Sequence, residues 1–523
     1  MARDPGVGYF LYMRQARAAS PSPPHDDLHA ELGAVLRAGG YCERELHRAL
    51  GASPDRAVDP DYLPIAARRT DQKSDQLAVL ARLLLLGLEV DVGRVRAALA
   101  PIDLDQLGRA ELISRSAQGV RALVRILPYE GLLLASDLPS TGGTDPGEVT
   151  AAGRSARTLA SLTVRRRVRT ALDLGSGGGV QGLLLARHAD AVVLCDVSPR
   201  ARAMAALNAQ LNGIENIELR SGDWFEPVTD QKFDLVSANL PYVVSPDVSY
   251  VHRDNALERD LLARSIVGKV GEYVTGGGFA HVLCNWIHDR KEEWSRAPLD
   301  WVSGTGCDAL ILHYASHEPL SYAASWNRPL QRTDPRAFEA TLERWLDYYA
   351  EAGIEMIASG AVILRRRCAG RSWTRAIEVP DAPTGMAGEH VERLFAAQDE
   401  LARLPGPQAL LGQCPRPVAG QHLEQTMAYR AGSYVAEAAL MRRYPGIGVV
   451  ARVAPRVLPV LVGCDGQRTL GELITRATQG LGRERVEVAT HCFATAHAAF
   501  ELGLLDCSEA PASSGAPARE RSA

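Results

Sequence analysis

Four short stretches hold residue types whose spacing can do chemistry: ALDLGSGGG (Ala171–Gly179), VVLCDVSP (Val192–Pro199), SGDWFEP (Ser221–Pro227) and ANLPY (Ala238–Tyr242). In the first, Asp173 stands two residues before a glycine run, Gly175, Gly177, Gly178 and Gly179. Glycines between a strand and a helix permit positive φ and close approach of backbone to a ligand. The spacing Gly177-x-Gly179-x-x-Gly182 formally satisfies a dinucleotide fingerprint, a weak signal alone because such turns also arise for packing. A carboxylate beside the loop suits a cationic amino-acid moiety better than a pyrophosphate, which it would repel. Asp196 ends the second stretch, where a carboxylate can accept both hydroxyls of a ribose; the plainer alternative is a cap for the helix starting at Ser198-Pro199. Asp223 can accept from an adenine amino group and Trp224 can pack on the ring.

The fourth stretch points to an acceptor. Amide and exocyclic amino nitrogens are poor nucleophiles because their lone pairs delocalise. An Asn239 oxygen and the Leu240 carbonyl can accept both N–H bonds of such a nitrogen and aim its lone pair. Tyr242 can stack on the planar group, and Pro241 fixes the turn. The plainer alternative is a strand-ending Asx turn with a packed tyrosine. Scattered histidines, His281, His288 and His313, are read as ordinary core or surface residues rather than bases.

These residues need a frame, and from Thr170 onward apolar strands and helical stretches alternate. Strands are expected at ALDLG, VVLCD, IELRSGD, FDLVSANLPY, Phe279–Trp286, Asp308–Ser316 and Ser359–Arg367, with a helical insert around Ala337–Ala352. Alternation implies parallel pairing through right-handed crossovers, hence a doubly wound α/β sheet of Rossmann-like type. The last two strands lack an evident crossover and are expected to form an antiparallel edge. Ligands in such sheets bind beyond the strand ends at the switch point.

Taken together, the four motifs resemble class I S-adenosylmethionine-dependent methyltransferases, and among them the HemK-like, "methyltransferase small" group with an NPPY-type motif. The resemblance covers roughly Val164–Arg367, and the layout as a whole is similar to large actinobacterial members. It implies a seven-stranded core and S-adenosyl-L-methionine as cofactor, with no metal. It implies cofactor contacts at Asp173, Gly175, Ser176, Gly177, Gly179, Gln181, Asp196, Val197, Gly222, Asp223, Trp224 and Asn239. It implies acceptor positioning by Asn239, Leu240, Pro241 and Tyr242. Two departures stand out: GSGGG replaces the commoner GTGCG or GCGSG, and NLPY replaces NPPY or NPPF, so the acceptor stays open between a glutamine-like amide, a base amine and a small metabolite.

At 523 residues the chain is too long for one core. The division expected is an arm at 1–26, an N-terminal helical and winged domain at 27–138, the methyltransferase domain at 150–368, a mostly helical, winged-helix-like C-terminal domain at 385–507, and a disordered tail at 508–523. In the N-terminal part, helices are expected at 27–38, 46–50, 75–88, 95–99 and 105–113. Strands Arg121–Leu127 and Gly131–Ser136 follow around a Pro128-Tyr129 turn, and Pro139–Gly153 is read as a linker. In the C-terminal part, Val391–Leu404 and Gln421–Tyr444 read as helices, Thr469 and Glu472 as a capping box, and Val486–Leu502 as a last helix.

A formal charge of −4 argues against a wholly basic nucleic-acid coat. Nine cysteines without C-x-x-C pairs fit reduced thiols and offer no zinc framework. No apolar run approaches membrane-spanning length and no secretory core is evident, so the expectation is cytoplasmic. The first functional reading is an N-methyltransferase acting on a peptide, protein or small molecule. The second is a base methyltransferase, favoured by the basic runs Arg165–Arg169 and Arg365–Arg367. The third is a non-catalytic binding protein on the same scaffold.

Overall fold

The computed structural model describes residues 26–71, 73, 75–138, 148–150, 152–247, 260–380 and 382–508. The expected arm and tail therefore lie outside the described residues except at Asp26 and Ser508, as does most of the expected linker. Two compact units are present: one combines the N-terminal region with the sheet as far as Ala376, and the other holds Ser161–Arg165 and Ile377 onward.

The first unit is built on a mixed eight-stranded sheet. Its strands are β1 (Val168–Leu174), β2 (Ala189–Asp196), β3 (Ile217–Ser221), β4 (Phe233–Asn239), β5 (Val274–His288), β6 (Cys307–His317), β7 (Met356–Arg366) and β8 (Thr374–Glu378). Across the sheet they run 8-6-7-5-4-1-2-3. Strands β3, β2, β1, β4 and β5 pair in parallel. The seven expected strands are present and β8 adds an outer one. The last two expected strands do pair antiparallel, but they are not the edge: β8 lies outside β6, and β7 lies between β5 and β6. Its residues explain the place, since Ile357, Ala361, Val362, Ile363 and Leu364 are all buried, as a strand covered on both faces requires.

The N-terminal helices do not close a core of their own. Leu28, Leu32, Leu36, Leu46 and Leu83 share one apolar cluster with Ala201, Met204 and Leu211 of the helix Pro199–Asn212. That helix also reads a strand edge through its side chains. Asn208 Oδ1 accepts the Ala135 N–H, and its Nδ2 donates to Ala135 O at 3.0 Å and to Gly178 O at 2.9 Å. The strands Val124–Tyr129 and Leu132–Asp137 turn at Glu130-Gly131, not at Pro128-Tyr129. Both turn residues have positive φ (48° and 75°), the primed geometry that matches strand twist. A short hairpin, Ile113–Arg115 with Val120–Ala122, takes over where the helix expected to reach Ile113 ends at Arg109. The expected helix from Asp75 runs as Gln76–Leu80 and widens into a π turn at Ala81–Leu85.

In the second unit the largest correction falls on Gln421–Tyr444. It is a hairpin, Gln421–Arg430 against Ser433–Arg443, not a helix. Ala, Glu, Gln, Met and Leu dominate these strands and favour helix intrinsically, but Ala431-Gly432 takes left-handed φ (49° and 87°) and reverses the chain. Elsewhere the local signals match: Thr469 and Glu472 form a reciprocal capping box opening Leu470–Ala477, and helices span Gly388–Arg403 and Arg485–Glu501.

Candidate active site

The strand order reverses between β1 and β4, and a cleft of about 250 Å³ opens at their carboxyl ends. All the cofactor and acceptor residues expected from sequence line it except Gly179. Gly179 is the N-cap of the helix Val180–Leu185 at φ 83°. A Cβ there would come within 3.1 Å of Ala205 and 3.2 Å of Leu194, so this glycine serves helix–sheet packing.

The turn after β1 is held by its own backbone. The N–H groups of Gly175 and Ser176 both donate to Cys195 O, at 2.9 and 3.0 Å. Asp173 is buried at 1% exposure and accepts the Gly182 N–H at 2.7 Å. Burial pushes its carboxyl up to about 7, against the pull of the Gly182 bond and with a push from Asp196. Asp196 takes one backbone amide on each oxygen: Gly177 N–H on Oδ2 and Ser198 N–H on Oδ1, both at 2.8 Å. Burial raises its pKa as well, opposed by those amides and by Arg202. The helix cap is Ser198, whose hydroxyl accepts the Ala201 N–H, so Asp196 is not itself the cap. Gln181 lines the cleft but donates to Ala156 O at 2.7 Å.

Trp224 sits at φ 45°, a left-handed conformation rare for a bulky residue. A Cβ on Gly175, itself at φ 68°, would lie 3.4 Å from the indole ring, which sets that ring against the glycine turn. Burial raises the pKa of neighbouring Asp223, and Glu226 adds to it.

Beyond β4 the chain enters the acceptor half. Asn239 Nδ2 donates to Ser155 Oγ at 3.4 Å, while Oδ1 is buried without a protein partner. The Leu240 side chain turns into the apolar core, at 2% exposure. Burial raises the pKa of the Tyr242 phenol, and Ser155 pulls it down. Its ring meets Trp326 edge-on at 6.3 Å. Two helices inserted between β6 and β7, Pro319–Thr333 and Pro335–Glu351, clamp the backbone at Val244. Val244 N–H donates to Tyr322 Oη at 3.2 Å, and Val244 O accepts from Tyr349 Oη at 2.8 Å.

Several lining residues carry no motif of their own: Glu148, Val149 and Thr150 at the end of the expected linker, Ser155, and Trp326. Nothing local marks them, although the apolar Val149 in a polar stretch, which is 4% exposed, is a weak signal of return to the core. The three histidines stay outside the cleft. Burial holds His281 down at about 3, and His313 stacks on Trp294 at 4.5 Å. Among the described residues the lining carries four carboxylates, Glu148, Asp173, Asp196 and Asp223, and no Lys, Arg or His. The run Arg365–Arg367 is engaged internally: Arg365 and Arg367 both bind the fully buried Asp308, at 2.6 and 2.9 Å, and Arg366 donates to Thr305 O. Arg166 likewise donates to Gly277 O.

Strands β1 to β5 in parallel with β7 antiparallel between β5 and β6, a glycine turn after β1 and a carboxylate ending β2 define a class I methyltransferase core. Residues 153–262 match the family "Methyltransferase small domain", and residues 38–123 match "Domain of unknown function (DUF7059)". The release factor glutamine methyltransferase of Xylella fastidiosa (strain 9a5c) is 35% identical over 92 residues, 17% of this chain and 34% of that protein. The Salmonella typhimurium protein of the same name is 31% identical over 127 residues, 22% of this chain and 46% of its own. The chain thus spans under half the length of these curated relatives. The crystal structure of Trm5b from Pyrococcus abyssi overlaps at 14% identity, covering 48% of this chain and 62% of that one, with a TM-score of 0.28, too low to bear on function. Residues 153–262 are thus an S-adenosylmethionine-dependent class I methyltransferase domain, similar over part of its length to release factor glutamine methyltransferases. No helix among the described residues is long and apolar enough to cross a membrane.

Proposed function

We propose that this chain methylates an uncharged planar nitrogen, of the glutamine-amide kind, on a peptide or protein. The observation that carries the proposal is Asn239, whose amide oxygen is buried in the cleft with no hydrogen-bond partner among the described residues while its amide nitrogen turns to Ser155. A buried carbonyl without a partner is costly, and a donor N–H from an acceptor amide would satisfy it.

The cleft fits S-adenosylmethionine. When bound, that cofactor supplies an electrophilic methyl group on a cationic sulfur. Among the described residues, four lining carboxylates and no basic side chain favour a cation over a pyrophosphate. Asp173, Gly175, Ser176 and Gly177 would hold its amino-acid end, Asp196 and Val197 its ribose, and Gly222, Asp223 and Trp224 its base. Each Asp196 oxygen spends one lone pair on an amide and keeps capacity for a hydroxyl.

On the acceptor side, Asn239 Oδ1 would accept an N–H and hold the nitrogen lone pair on line, Pro241 stiffens the strand end, and Tyr242 with Trp326 walls the planar group. Orientation and exclusion of water carry most of the rate. The acceptor nitrogen gains one carbon and gives up one proton to solvent.

Curated relatives named release factor glutamine methyltransferase support a protein amide as the acceptor. The engagement of Arg365 and Arg367 by Asp308 removes the strongest ground for a nucleic-acid phosphate. The test is transfer of labelled methyl groups into cell extract, followed by protease, RNase or size filtration. Label lost to protease and kept through RNase supports the proposal; label lost to RNase or through the filter refutes it.

A further inference from the structure

Asn239 has two faces of nearly equal shape and opposite hydrogen-bonding character. With its oxygen in the cleft it accepts from an N–H; with its nitrogen there it would repel the same group. What selects the face is therefore as important as the residue. Ser155, second residue of the helix Arg154–Leu162, is the group that touches the other side. It lies 84 positions earlier in the chain, in a stretch without any motif of its own.

A serine hydroxyl has one proton to give and lone pairs to receive. Ser155 Oγ accepts from the Asn239 N–H₂ at 3.4 Å, and this arrangement leaves Oδ1 facing the cleft. Ser155 also acts on the Tyr242 phenol, lowering its pKa against the rise from burial. Ser155 also lines the cleft itself.

We infer that Ser155 is a positioning residue that holds the Asn239 amide with its oxygen toward the acceptor, so that the site admits nitrogen acceptors that carry an N–H. The inference rests on the function proposed above, and it assigns to a residue outside the Asn-Leu-Pro-Tyr motif the choice of which atom of that motif faces the substrate.

The experiment compares wild type, Ser155→Ala, Ser155→Thr, Asn239→Ala and the Ser155→Ala/Asn239→Ala double variant. It uses tritiated S-adenosylmethionine and the cell-extract fraction that wild type labels. Binding of S-adenosylhomocysteine is measured by calorimetry on the same proteins. The expected result is a fall in turnover of about 10- to 100-fold for Ser155→Ala, with S-adenosylhomocysteine affinity unchanged. Ser155→Thr, which keeps the hydroxyl, restores most of the activity. Ser155→Ala causes no further loss on top of Asn239→Ala, because the two act as one unit. Wild-type turnover in Ser155→Ala, or losses that multiply in the double variant, overturns the inference, as does a Thr variant no better than Ala. If wild type labels nucleic acid, the amide reading falls while the same comparison on that acceptor still decides the role of Ser155. A wild type that labels nothing ends both.

Discussion

Asp196 Oδ2 accepts the Gly177 N–H at 2.8 Å, so the carboxylate at the end of β2 also holds the glycine turn after β1 in shape. One residue thereby serves two ends: its partly satisfied oxygens are available to a ribose, and its bonds to Gly177 and Ser198 fix the loop that would meet the rest of the cofactor.

Removing Asp196 should accordingly cost both properties. For Asp196→Ala we expect S-adenosylmethionine affinity to fall at least about tenfold, since a hydrogen bond to a charged group contributes roughly 1.5–3 kcal/mol. Calorimetry checks it, and unchanged affinity would remove Asp196 from the cofactor half. Asp196→Asn, which keeps one acceptor oxygen, should lie between wild type and the alanine variant.

A pH dependence arises from Asp173. Burial raises its folded pKa from 3.8 to about 7, so the folded apoprotein binds this proton more tightly than the unfolded chain. That contribution to stability is fully present below about pH 4 and is lost as pH rises through about 7. Binding a cation beside the carboxylate favours its ionised form. Cofactor affinity should therefore climb by up to about tenfold per pH unit below 7 and level off above it. Calorimetry from pH 5.5 to 8.5 gives this profile, and Asp173→Asn should flatten it. A wild-type profile already flat would show that Asp173 does not ionise on binding.

Asn239→Ala should leave cofactor affinity within about twofold and lower turnover by roughly 10²-fold, because it removes orientation rather than binding surface. Parallel loss of cofactor binding would place Asn239 in the wrong half of the site.

The ion cluster behind the sheet makes a separate prediction. Asp308 is fully buried and receives both Arg365 and Arg367. Asp308→Ala would remove the carboxylate that these two largely buried guanidinium groups share and should cost about 3–5 kcal/mol, seen as a lower unfolding midpoint in urea. Little change would indicate that the arginines find water or other partners.

Sequence and structure agree where the determinant is local. A strand-ending Asp196, the Gly175–Gly177 turn, the run Asn239–Tyr242 and the Thr469–Glu472 cap each lie within a few residues, and each sits where its motif implied. The order of strands is a long-range property: the apolar run of β7 marks a strand buried on both faces but does not name β5 and β6 as its neighbours. Ser155 and Trp326 reach the cleft from a helix before the sheet and a helix between β6 and β7, so only the fold brings them to Tyr242. The hairpin Gln421–Arg443 is disguised by helix-favouring residues whose intrinsic preference, a few tenths of a kcal/mol each, yields to the turn at Ala431-Gly432 and to packing of Ala439 and Met441.

The central claim, that Asn239 presents an amide-type nitrogen of a protein to the methyl donor, is tested most directly by the chemical form of the transferred label. Protein labelled with tritiated S-adenosylmethionine is hydrolysed in strong acid, which cleaves an N-methyl amide and frees methylamine but leaves methylated lysine and arginine side chains attached to their amino acids. The account predicts volatile labelled methylamine, absent when Asn239→Ala replaces the wild type; label recovered as methyl-lysine or methyl-arginine, or in a nucleoside, would contradict it.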